Sequence, residues 1–103
     1  MLTLSKVNQN LKFFIQEPFI SIYQTNFYLD FEDLNLYDNY YIVRLVNQKE
    51  KVKNKWSFQK LSKNKYYIYQ TINNEKIYLH ISNETLNGDF FNKTIFNIIS
   101  QKI

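Results

Sequence analysis

YYIYQTI (66–72), NNEK (73–76) and IYLHI (77–81) form the stretch whose reading decides the fold. Both flanks are dense in β-branched and aromatic residues, which suit a pleated, half-buried surface. The polar connection Asn73, Asn74, Glu75 and Lys76 suits a hairpin. Upstream, Trp56 and Phe58 share a face between Lys55, Ser57 and Gln59, while Tyr41, Val43 and Leu45 alternate with Ile42 and Arg44. That period of two predicts further strands. Downstream, Asn87-Gly88 is the strongest two-residue turn signal, because a type I′ turn needs positive φ at both central positions.

The ends read differently. Leu4, Val7, Leu11 and Phe14 recur at spacings of three and four, predicting an amphipathic helix over 1–15, capped by Thr3 or Ser5 and ended by Pro18. Phe91, Ile95, Ile98 and Ile99 fit a helical stripe, whereas Thr94 to Ile99 also fits a final strand; helix is favoured. The predicted class is α+β: one domain over 1–103, with antiparallel strands and hairpins over 19–86, flanked by a helix at 1–15 and a helix or strand at 89–103.

The chain has no Ala, one Gly, one Pro and one Arg, with Asn, Lys, Ile, Tyr and Phe in their place. That pattern follows nucleotide bias and indicates an AT-rich genome, as in mitochondria or other organelles. Folding at 103 residues buries roughly two-thirds of the unfolded surface, enough for one core. Without Cys there is no disulfide, thiolate metal site or cysteine nucleophile, which excludes a disulfide-stapled secreted scaffold. The longest apolar runs fall far short of the ~20 residues that span a bilayer as a helix. Lys6 and Lys12, with Ser and Thr and no acid in residues 1–15, imitate a mitochondrial targeting helix, but a structural helix is the stronger expectation.

Catalytic chemistry finds little to work with. His80 is the single His, on a predicted strand, and reads as a structural or surface residue; Ser82 lacks the base and orienting acid of a triad. Asp30, Glu32, Asp33 and Asp38 form a carboxylate cluster without EF-hand spacing and read as a solvated acidic loop. One Gly cannot build a phosphate loop. Asn83-Glu84-Thr85 and Asn92-Lys93-Thr94 match the glycosylation sequon, as chance allows among fourteen Asn. No enzyme activity, metal or cofactor is expected.

Charge placement is more specific. Residues 13–43 hold Glu17, Asp30, Glu32, Asp33 and Asp38 without a Lys or Arg, whereas 44–65 hold Arg44, Lys49, Lys51, Lys53, Lys55, Lys60, Lys63 and Lys65 against Glu50. On a strand, Lys49, Lys51, Lys53 and Lys55 would project from one face as a cationic row. With Lys60, Lys63, Lys65, Trp56, Tyr66 and Tyr67 they form the candidate partner-binding segment, for protein carboxylates, anionic lipid or RNA. The competing reading is a lysine-guarded sheet edge over an aromatic core. A net charge of +4 and a single Arg place RNA second.

Two internal patterns complete the sequence. Ile22-Tyr23-Gln24-Thr25 recurs as Ile68-Tyr69-Gln70-Thr71, each followed by Tyr-Leu, at 28–29 and 78–79, which would fit duplication of a strand-turn-strand unit. Trp56-Ser57-Phe58, Tyr67-Ile68-Tyr69 and Tyr78-Leu79-His80-Ile81 together resemble one repeat of a ricin-type β-trefoil. That family usually has Gln two residues before the Trp, where this chain has Asn54, and its three lobes need a longer chain. The resemblance implies a lectin-like module, with no sugar-binding residue carried over.

Three function classes follow. The first is a structural or accessory subunit of a large assembly, mitochondrial and of the respiratory chain by preference. The others are a ribosomal or RNA-binding protein using residues 49–67, and a free-standing lectin-like module. The surplus of Tyr and Phe over what so small a core hides favours the first, since Tyr tolerates interfaces that are apolar at one end and polar at the other.

Overall fold

The decisive hairpin is present, with a tighter turn than its polar linker suggested. Strand β7 (Lys65–Ile72) pairs antiparallel with β8 (Glu75–Ser82), and only Asn73 and Asn74 connect them. Both have positive φ, 52° and 64°, which Asn accepts more readily than other L-residues. The computed structural model describes residues 2–3, 12–32 and 40–98.

The remaining strands are β1 (Leu2–Thr3), β2 (Phe13–Gln16), β3 (Phe19–Ile22), β4 (Tyr28–Phe31), β5 (Tyr40–Val46), β6 (Ser57–Ser62), β9 (Thr85–Asp89) and β10 (Phe96–Asn97). They form one curled antiparallel sheet, a half-barrel, in the order β10-β7-β8-β9-β5-β4-β3-β2, with β1 on β5 and β6 on β7. Strand accounts for 60% of the structure and helix for 4%, a single 3₁₀ turn at Lys49–Lys51. No helix among the described residues is long and apolar enough to cross a membrane.

This corrects the α+β expectation at both ends. Leu2–Thr3 and Phe13–Gln16 are strands, so the helix predicted over 1–15 does not form; residues 4–11 lie outside the described residues. Phe13, Phe14 and Ile15 are poor helix formers but good strand residues, and FISI across the turn gives them a paired partner. Pro18, joined to Glu17 by a cis bond, sits in that turn rather than ending a helix. At the other end, Phe91 and Ile95 are exposed and the segment runs extended into β10, so the favoured helix is also corrected; Ile99 and beyond lie outside the described residues.

Asn87-Gly88 is not a turn either. It lies within β9, and the turn falls at Asn83 and Glu84, whose φ values are 51° and 63°. Gly88 is needed for space: a Cβ there would stand 2.7 Å from two ring carbons of Phe31 and 2.9 Å from Ile77 Cγ2. The concave face carries the core of Ile20, Leu29, Phe31, Val43, Trp56 and Ile68, with Ile77, Leu79 and Leu86. The two IYQT copies do not match structurally. Ile22 ends β3 and Gln24 is an exposed turn residue with φ 62°, whereas Gln70 is fully buried within β7. The β6-β7-β8 strands carry the trefoil-like pattern, but they belong to one continuous sheet rather than to one of three lobes.

Candidate functional site

The basic segment is not the strand that would align its lysines. Lys49 and Lys51 lie in the 3₁₀ turn, and Lys53 and Lys55 follow in an irregular connection to β6. All four are exposed, but they serve separate neighbours: Lys49 Nζ stands 5.5 Å over the Phe19 ring, Lys51 Nζ donates to Asn47 Oδ1, and Lys53 N–H donates to Asp30 Oδ2 at 2.8 Å. Lys60 (β6) and Lys63 (turn) are exposed at the sheet edge, and Lys65 (β7) is exposed between β6 and β10. Trp56 is 2% exposed; its Nε1 donates to Leu29 O at 2.9 Å and its ring meets Phe31 edge-on at 4.9 Å. It cannot stack on a base.

Asp30 explains why this segment folds back. Fully buried on β4, it pairs with Arg44 at 2.9 Å and accepts from Gln70 Nε2 at 3.0 Å, besides the Lys53 amide. Gln70 Nε2 also donates to Asn54 O at 2.7 Å. A buried carboxylate needs such partners to stay charged. Glu32 is buried too, so these acids are not a solvated loop; Asp33 and Asp38 lie outside the described residues.

A second aromatic and basic cluster forms across β7, β8 and the segment after β9. Tyr69 and Tyr78 oppose each other across β7 and β8 with centroids 5.5 Å apart, and Tyr67 meets Tyr78 at 5.9 Å. Lys93 Nζ lies 4.6 Å from the Tyr78 centroid and 5.4 Å from Tyr67, and Lys76 Nζ lies 4.9 Å from Tyr69. These are cation–π distances. Tyr66, by contrast, lies between Lys60 of β6 and Phe96 of β10.

Lys93 arrives on a strap, residues 90–98, that is fixed at both ends. The Asp89 carboxylate accepts from the Phe91 amide at 2.8 Å, the Asn92 amide at 2.9 Å and Asn92 Nδ2 at 3.3 Å. Burial works to raise the Asp89 pKa, but these hydrogen bonds and nearby His80 outweigh it and hold the carboxyl below its usual range. Further on, Thr94 Oγ1 accepts from the Ile81 amide at 2.9 Å and lies 3.0 Å from His80 Nδ1. Beyond the Tyr69–Tyr78 pair, β10 takes the place of β8 beside β7, pairing Phe96 with Tyr66 and Asn97 with Lys65.

Between these anchors Phe91 is 77% exposed and Ile95 52%. Neither was singled out from the sequence as a surface residue, because their spacing suggested a buried helical stripe. The Asp89-x-Phe91-Asn92 pattern, an acidic side chain able to cap the amides two and three residues on, was the available signal. No protein-family model, curated protein or solved structure matches the chain.

Proposed function

We propose that this chain is a non-catalytic interaction domain, a structural or accessory subunit of a larger protein assembly, which docks through the strap at residues 90–98. One observation carries the reading. Phe91 and Ile95 stand in water on a segment anchored by Asp89 and Thr94, so ordered apolar area is held outward. A partner that covers them gains burial at little ordering cost. Lys93, between them on the strap, suits a carboxylate rim on that partner.

The Ala-free, Lys- and Asn-rich composition supports an AT-rich organellar genome, and a mitochondrial respiratory-chain complex is the assembly we favour. The test is co-purification with the tagged chain, with and without nuclease. Phe91→Ser with Ile95→Ser should leave the circular dichroism spectrum and melting temperature unchanged and remove the protein partners. Lys51, Lys53 and Lys55 changed to Gln should weaken them less. Retention of partners by the double Ser variant overturns the docking surface, and loss of all partners on nuclease treatment replaces the reading with RNA binding.

A further inference from the structure

The two ends of the half-barrel are built differently. At one end β6 is a guarded edge: its register with β7 shifts between Lys60 and Ser62, and Lys60 and Lys63 are exposed there. Bulges and lysines are the usual means of preventing strand addition. At the other end β2, FFIQ, pairs with β3 residue for residue, carries no charge, and meets no other strand among the described residues. Nothing in that strand discourages pairing.

The hydrogen-bond parity of β2 can be worked out. Gln16 and Phe19 close a two-residue connection, and the bonded pairs then alternate through Phe14–Ser21 to Lys12–Tyr23. The last is seen directly, as Tyr23 N–H donates to Lys12 O at 2.8 Å. Phe13 and Ile15 therefore turn their N–H and C=O groups to the open side. Their side chains line an apolar hollow of about 170 Å³, together with Ile20, Leu29, Ile68 and Phe96.

We propose that this edge joins a second copy of the chain, β2 against β2 antiparallel, about a two-fold axis through Phe14. This goes beyond the docking role of Phe91 and Ile95, neither of which lines the hollow. The strand is self-complementary in one particular register. With Phe14 opposite its own copy, Phe13 of each chain faces Ile15 of the other, and every outward N–H and C=O of those two residues is paired. Like faces also meet: Phe13 and Ile15 continue the apolar wall of the hollow, and the two Phe14 rings meet where side chains approach most closely. The contact is isologous and closes at a dimer.

Sedimentation equilibrium of the full chain over a range of concentrations should show a monomer–dimer equilibrium. Phe14→Lys sets two ammonium groups opposite each other and should raise the dissociation constant by on the order of tenfold or more. Lys60→Gln, at the guarded edge, should change nothing. Because the chain has no cysteine, Phe14→Cys gives an independent readout. Opposed residues of a non-hydrogen-bonded pair lie ~4.5 Å apart at Cα, within disulfide reach, so this variant should oxidise to a covalent dimer while Lys60→Cys should not. A chain that stays monomeric at every concentration overturns the proposal, as does a dimer that survives Phe14→Lys and is not cross-linked at position 14.

Discussion

Two segments leave the sheet, each tied down by a carboxylate and each bearing at least one lysine and one aromatic ring, yet they end in opposite states. The 47–56 connection is held by Asp30, which is fully buried and paired with Arg44, and it delivers Trp56 into the core at 2% exposure. The 90–98 strap is held by Asp89, partly exposed and bonded to its own next turn, and it leaves Phe91 at 77% exposure. Lysine and aromatic content therefore does not separate a staple from a binding surface. What separates them is where the anchoring carboxylate sits: a buried anchor draws its segment inward, and a surface anchor fixes its segment in place outside.

The largest effect should come from removing the buried anchor. Asp30→Ala leaves Arg44 without its counter-charge and removes an acceptor of Gln70 Nε2 and of the Lys53 amide. The expected loss is about 3–5 kcal/mol, the range for breaking a buried pair from one side. Trp56 is the chain's single Trp, so denaturant unfolding followed by its fluorescence measures this directly. A loss below about 1 kcal/mol, the level of an exposed pair, would remove the distinction between the two anchors.

A smaller effect, confined to one region, is expected from Gly88→Ala. The added methyl meets the Phe31 ring, which packs on Trp56, so the strain should pass into the core beneath the first segment and cost about 1–3 kcal/mol. Amide exchange should quicken around β4 and Trp56 more than at Phe91 and Asn92, although Gly88 is closer in sequence to the strap. Equal quickening in both regions would show that they are not energetically separate.

The central hairpin was legible because its flanks are long, β-rich and interrupted by polar residues, so local preference and tertiary pairing agree. The ends were not. Phe14 fits a helical stripe with Leu4, Val7 and Leu11, and only the partner strand FISI, beyond Pro18, decides for β2. Asn87-Gly88 carries the chemistry of a turn, but its glycine answers to the Phe31 ring, a contact between residues 57 positions apart that no local pattern reveals. The acidic and basic halves were visible as composition, while their joining by a buried Asp30–Arg44 pair depends on the register of β4 against β5. Lysines at alternate positions suggested a strand over 49–55. Their order is set instead by Asp30 capturing the Lys53 amide, which bends the chain toward Trp56.

The smallest expected effect is on the surface anchor, and it depends on pH. Asp89→Ala removes the acceptor of the Phe91 and Asn92 amides, at a cost of about 1 kcal/mol for exposed hydrogen bonds, while Asp89→Asn keeps an acceptor oxygen and should cost less. The folded-state pKa of Asp89 is depressed, so its contribution is complete above the ordinary carboxylate range and is lost as pH falls through the lower, folded value. In the wild-type chain the strap should therefore hold at neutral and mildly acidic pH and loosen only in stronger acid. Proton exchange at the Phe91 and Asn92 amides, referenced to unstructured peptides at each pH, is the measurement. Protection should fall in acid in the wild type and be low at every pH in Asp89→Ala. Undiminished protection in that variant would mean that Thr94, bonded to Ile81 and His80, fixes the strap without help from Asp89. The comparison between a buried and a surface anchor would then have to be redrawn around the threonine.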